Sequence, residues 1–173
     1  ILTDVPCSGE GMFRKDPGAV EEWSPENVEI CWQRQRRIIA DIWPCLKPGG
    51  ILVYSTCTYN TKEDEENVQW IRDEFGAEVL PVNAPGGWGI TGNLLAAADF
   101  PVYRFLPHKT IGEGFFLAVL RKPEAERQGG IVTSVNREVT ACGAMNEKLS
   151  RKKTAAARNN SKPSSAPMGK EQI

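Results

Sequence analysis

The sequence lacks the features that mark a membrane or secreted protein. No apolar run approaches the ~18–20 residues of a membrane span, and the first residues show no basic-then-apolar signal pattern. Its five cysteines, at positions 7, 31, 45, 57 and 142, are odd in number and never spaced C-x-x-C. That suggests neither a disulfide framework nor a Cys-rich zinc site, and reduced thiols in a cytoplasmic protein fit best. No metal is expected. Histidine occurs once, at His108. A cysteine hydrolase would need that residue as its base, and no Asn or Asp is paired with it. Residues 123–173 contain no aromatic residue. The opening at Ile1, inside an apolar stretch and without a methionine, reads as a piece of something longer.

What is present suffices for one globular domain: 173 residues, 40% hydrophobic and 25% charged. The net charge of −1 hides an asymmetry. Residues 1–120 hold 10 Lys+Arg and 17 Asp+Glu, whereas residues 121–173 hold 11 and 5. An acidic body therefore precedes a basic segment rich in Lys, Arg, Ser, Ala, Asn and Gln. Residues 123–173 read as a low-complexity, disordered tail or linker, with RNA as the partner to test and a plain soluble linker as the alternative.

Hydrophobic patterning predicts alternating elements. Ile1–Val5 reads as a short strand stopped by Pro6. Ser24-Pro25-Glu26 is a helix start, and Val28, Trp32, Ile39, Ile42 and Leu46 mark one apolar face of about five turns. Lys47-Pro48-Gly49-Gly50 ends it. Ile51–Ser55 reads as a strand covered on both faces. Thr61 with Asp64 forms a capping-box pattern, followed by a helix carrying Val68, Ile71 and Phe75 and ending at Gly76. Ala77–Val82 and Gly114–Leu120 read as further strands, separated by a loop-rich stretch over 83–113. This order indicates an α/β layer with mostly parallel strands, one open edge and a thin helix layer.

The chemistry is expected at the carboxyl ends of the first two strands. A crossover helix would place them side by side, so Cys7 and Cys57 would face one crevice, with Asp4 three residues before Cys7. Cys31 and Cys45, on or near the helix's apolar face, read as small buried hydrophobes. Tyr59 and Trp88 are aromatics able to stack on a base, with packing as the plainer reading.

Asp4-Val5-Pro6-Cys7-Ser8-Gly9-Glu10-Gly11 and Ser55-Thr56-Cys57-Thr58-Tyr59-Asn60 closely resemble the two cysteine motifs of the NOL1/NOP2/Sun RNA cytosine-C5 methyltransferases. Met12–Pro17 is similar to the bacterial RsmF-like branch, which acts on 16S ribosomal RNA. Arg104-Phe105-Leu106-Pro107-His108, with Gly112, Gly114-Phe115-Phe116 and Lys122, resembles the family's late motif. The resemblance covers residues 1 to about 122. It implies the C-terminal half of a Rossmann-like, S-adenosylmethionine-dependent catalytic domain. It implies Cys57 as nucleophile, Cys7 as the group assisting release, and Asp4 bordering both cofactor and cytosine. Pro6, Arg104 and His108 are the further substrate-binding residues it suggests. The helix expected at Thr61 is a plausible source of a lowered Cys57 pKa. The family's Gly-rich cofactor loop belongs before Ile1, so this chain is expected to bind S-adenosylmethionine weakly and to be inactive alone. A non-catalytic RNA-binding remnant and another α/β thiol enzyme are the alternatives.

Overall fold

The computed structural model describes residues 1–96 and 98–124. The expectation for residues 123–173 therefore lies outside the described residues, apart from Pro123 and Glu124. Five strands form one sheet: β1 (Leu2–Asp4), β2 (Ile51–Thr56), β3 (Glu78–Val79), β4 (Tyr103–Phe105) and β5 (Phe115–Arg121). Among the described residues three α-helices accompany them: α1 (Pro17–Glu22), α2 (Pro25–Ile42) and α3 (Glu65–Phe75). Sheet order is β1-β2-β5-β3, with β4 also paired to β5.

The α/β, partial Rossmann-like class holds, and the pairing pattern refines it. β1 and β2 are parallel, Asp4 opposite Ser55, while β5 is antiparallel to β2, β3 and β4. Four strands thus run one way and β5 runs against all of them. The reason is the connection: β5 is reached from β4 through a loop, and a strand that follows without a crossover helix returns in the opposite sense. β4 itself falls within the stretch expected to be loop. Three residues are too few to show an alternation, and β5 supplies the partner that makes them a strand.

Local signals explain most boundaries. Ser24 caps α2, its Oγ accepting from the Asn27 N–H at 3.0 Å, with Pro25 at the first helical position. The buried face of α2 carries Val28, Cys31, Gln35 and Ile39, and a 3₁₀ turn over Trp43–Cys45 continues it. The expected capping box does not form. Residues 61–64 make a turn, α3 begins at Glu65, and the Asp64 side chain points to Thr56 and Arg104 instead of its own helix. A buried carboxylate gains more from a guanidinium than from an amide.

Leu52 and Tyr54 of β2, and Phe116, Ala118 and Leu120 of β5, are buried together with Ile39, Val68 and Ile71 from the helices. Trp43 stacks on Phe75 with ring centroids 4.8 Å apart. Val53, Leu117 and Val119, on the alternate positions, are only half-buried, so the described chain covers one sheet face and not the expected two. Leu2 on edge strand β1 is 73% exposed. No described helix is long and apolar enough to cross a membrane.

Candidate active site

Parallel pairing of β1 and β2 sends two loops out over the same rim. Cys7 lies three residues past β1 and Cys57 directly after β2. Their sulfur atoms are 3.0 Å apart, and the Cys57 N–H donates to Cys7 Sγ at 3.3 Å. Both side chains are partly exposed. Asp4 is exposed at the end of β1, and its Oδ1 lies 3.5 Å from the Ser55 hydroxyl. Pro6 is exposed on the same loop as Cys7, with its carbonyl accepting from Gln35 Nε2 at 2.9 Å.

The two thiols do not share one acidity. The hydrogen bond from Cys7 brings Cys57 down to about 7, against opposition from burial and from the Asp4 and Glu63 carboxylates. Cys7 moves the other way, pushed up by that same bond, by burial and by the charge on Cys57. One thiolate with one thiol donating to it is the stable arrangement, because two adjacent thiolates would repel. The lowering comes first from Cys7; the helix expected at Thr61 begins at Glu65 and carries its own acids.

Those acids are the main feature that sequence reasoning missed. Glu63, Asp64 and Glu65 look like solvated first-turn residues, yet all three are fully buried. Arg104 on β4 explains two of them. It donates to Glu65 through Nε at 2.9 Å and through a second, short contact, pairs with Asp64 Oδ2 at 3.0 Å, and donates to the Tyr59 carbonyl at 2.8 Å. Asp64 in turn accepts from the Thr56 hydroxyl at 2.6 Å. Arg104, expected among the substrate-binding residues, is 1% exposed, and its guanidinium is taken up by Asp64, Glu65 and the Tyr59 carbonyl, so it fastens the segment after Cys57. His108, the other late-motif residue of the expected substrate set, stands apart from this cluster. It is exposed on the loop after β4 and makes no described hydrogen bond or ion pair with the thiols.

Glu63 has a different set of partners. Its carboxylate accepts from the Ser8 N–H at 3.0 and 3.3 Å, from Gln35 Nε2 at 2.7 Å and from Asn60 Nδ2 at 2.8 Å. Gln35 was legible in principle, as a lone polar residue four positions from Cys31 and Ile39 on the buried stripe of α2.

Two glycines are required by close approach. The Gly11 N–H donates to the Cys57 carbonyl at 2.7 Å, and a Cβ there would lie 2.6 Å from that oxygen and 2.7 Å from the Gly114 carbonyl. A Cβ on Gly114 would overlap the Tyr59 ring. Gly11→Ala is expected to push the Cys57 loop off the Cys7 loop and to cost about 1–3 kcal/mol by overpacking, read by denaturant unfolding. Unchanged stability would show that the loops tolerate separation.

No group of three or more His, Cys, Asp or Glu suited to a metal occurs among the described residues. The 16S rRNA methyltransferase RsmB/F family matches residues 1–121. The chain is 42% identical over 127 residues to ribosomal RNA small subunit methyltransferase F of Shigella flexneri serotype 5b (strain 8401), covering 72% of this chain and 26% of that protein. It is 40% identical over 132 residues to the protein of the same name from Escherichia coli O9:H4 (strain HS), with the same coverage. Among solved structures, NSun6 from Pyrococcus horikoshii with SFG gives a TM-score of 0.60 at 33% identity, over 72% of this chain and 30% of that one. A methyltransferase homolog protein from Pyrococcus horikoshii gives 0.55 at 32%, over 70% and 38%. The chain spans about a quarter of the length of these curated relatives. With a match running from the first residue to the end of β5, and with both cysteine loops inside it, the chain belongs to the 16S rRNA methyltransferase RsmB/F family.

Proposed function

We propose that this chain carries the two-thiol part of an S-adenosylmethionine-dependent enzyme that methylates carbon 5 of a cytosine in 16S ribosomal RNA, as naked RNA or within the small ribosomal subunit, in the cytoplasm. The observation that supports it most is the pair of sulfurs 3.0 Å apart at the carboxyl ends of adjacent parallel strands, one of them acidified to about 7.

The chemistry asks for that pair. Carbon 5 of cytosine is a weak nucleophile while the ring is aromatic. Addition of the Cys57 thiolate at carbon 6 breaks the aromaticity and moves electron density onto carbon 5, dividing one hard step into easier ones. Once the Cys57 sulfur is bonded to carbon 6, the hydrogen bond and charge that raised Cys7 are gone, and Cys7, ionised, takes the proton from carbon 5 as the freed electron pair expels the Cys57 thiolate from carbon 6. The exposed Asp4 carboxylate suits the N3 and N4 edge of the base, which must leave its stack to reach the thiols. Pro6, exposed beside Cys7, forms part of the rim that the base passes.

The described residues fit one border of an S-adenosylmethionine site. Asp4 is exposed at the end of an edge strand, and the described Gly112-x-Gly114 segment leads into a strand instead of opening a helix as a cofactor loop would. S-adenosylmethionine supplies the electrophilic sulfonium methyl. SFG, an analogue of it, accompanies the similar NSun6 structure and supports this reading.

The test uses the full-length gene product with 16S rRNA and S-adenosylmethionine. Cys57→Ala is expected to abolish both methylation and any covalent RNA adduct. Cys7→Ala is expected to accumulate the adduct, seen as a denaturant-resistant shift on a gel. Trapping by neither variant, or by both, would overturn the assignment of roles.

A further inference from the structure

We propose that Glu63 is a positioning residue that clamps the two cysteine loops together, so that Cys7 and Cys57 meet the base as one pair; this rests on the two-thiol reading above. Glu63 belongs to neither loop. It sits in the turn before α3, fully buried, yet its carboxylate reaches both. On the first loop it holds the N–H of Ser8, the residue after Cys7, with both oxygens. It also holds Gln35, whose amide donates to the carbonyl of Pro6, the residue before Cys7. On the second loop it holds Asn60, three residues past Cys57, which reaches across to the Ser8 hydroxyl at 3.3 Å. The backbone of Glu63 is held as well, its N–H donating to Asn60 Oδ1 at 2.9 Å and its carbonyl accepting from the Tyr54 hydroxyl at 2.7 Å.

The chemistry of the donor set favours a carboxylate over any neutral residue. Three groups converge as donors on one side chain, which only an acceptor-only group satisfies; a glutamine there would turn an N–H₂ towards other donors. No described lysine or arginine pairs with Glu63. Its charge opposes ionisation of Cys57, together with that of Asp4. A buried anion that works against the nucleophile has its use here in geometry, since electrostatics alone would favour its absence.

That opposition gives a test in which the two effects have opposite signs. Iodoacetamide labelling of Cys57 is followed against pH by mass spectrometry, on the chain itself, with folding checked by circular dichroism. If Glu63 only contributes charge, Glu63→Gln lowers the midpoint below about 7. If it is the clamp, the loops separate, the Cys7 hydrogen bond weakens and the midpoint rises by about one unit or more. An unchanged or lowered midpoint overturns the proposal. Should Glu63→Gln fail to fold, Asn60→Ala keeps the carboxylate and its other donors, and is expected to raise the midpoint by a smaller amount; no rise overturns the proposal too. In a Cys7→Ala background there is no thiol left to position, so Glu63→Gln is expected not to raise the midpoint. A rise there would mean general loosening and would count against the clamp. The readout does not involve methyl transfer, so its failure is separate from failure of the proposed reaction.

Discussion

Arg104→Leu is expected to destabilise the fold by about 3–5 kcal/mol at neutral pH, the range for breaking a buried ion pair from one side. The guanidinium and both carboxylates lie almost entirely out of water, and the arginine also satisfies the Tyr59 carbonyl. Leucine would fill much of the volume but leave Asp64 and Glu65 without their cation. Burial already holds the Asp64 carboxyl well above the usual carboxylate range, and Arg104 is the chief group opposing that. Without it the Asp64 value rises further. A carboxyl whose folded value exceeds its unfolded one binds more protons in the native state, so stability falls as pH rises through that window. The deficit of the variant should therefore grow as pH rises above the wild-type Asp64 value, as denaturant unfolding at several pH values would read. Arg104→Lys keeps the charge but cannot serve Asp64, Glu65 and a carbonyl in one planar fork, and should recover only part of the loss. A loss below about 1 kcal/mol for Arg104→Leu, in the range of exposed pairs, would show that this cluster is solvated.

Cys7→Ala is expected to raise the ionisation midpoint of Cys57 from about 7 towards the ordinary thiol value near ~8.5. With Cys57 ionised, the donor is the Cys7 thiol at 3.0 Å, and alanine has nothing to replace it. The direction follows from which form the bond stabilises. A donor beside a thiolate favours the charged state, so its loss returns the proton to higher pH, while burial and the Asp4 and Glu63 carboxylates continue to push upwards. At pH 7 the thiolate population drops from about half to a few per cent. Each remaining thiolate is a somewhat stronger nucleophile, so the midpoint and not the single-pH rate is the quantity to compare. Site-resolved alkylation across pH 5–10 separates Cys57 from Cys31, which burial pushes up. A midpoint that stays near 7 would place the cause elsewhere in the loop. Cys57→Ala, conversely, should return Cys7 downwards, since its partner supplies both the hydrogen bond and the charge that raise it.

Both outcomes bear on how much of the site could be read from residues alone. The positions of the thiols at strand ends followed from pattern. Apolar runs stop at Pro6 and Thr56, and a helix of the right length separates them, so adjacency of the two loops needed only the α/β layer. The acidity order of Cys7 and Cys57 could not be read that way. It depends on a hydrogen bond between residues 50 positions apart, and the helix terminus that seemed to offer a cause is occupied by its own buried acids.

The sequence by itself determined the class of the sheet, the course of α2 and α3, and the two cysteine loops, because hydrophobic period and helix-capping residues act over a few neighbouring positions. Only the tertiary structure decided that Arg104 is buried against Asp64 and Glu65, that β4 is a strand, and that Glu63 reaches both loops. Charge and extended backbone are satisfied by whatever lies opposite in space. For Arg104 that is a pair of carboxylates about 40 residues earlier in the chain, for Tyr103–Phe105 it is β5, and no local pattern encodes such partners.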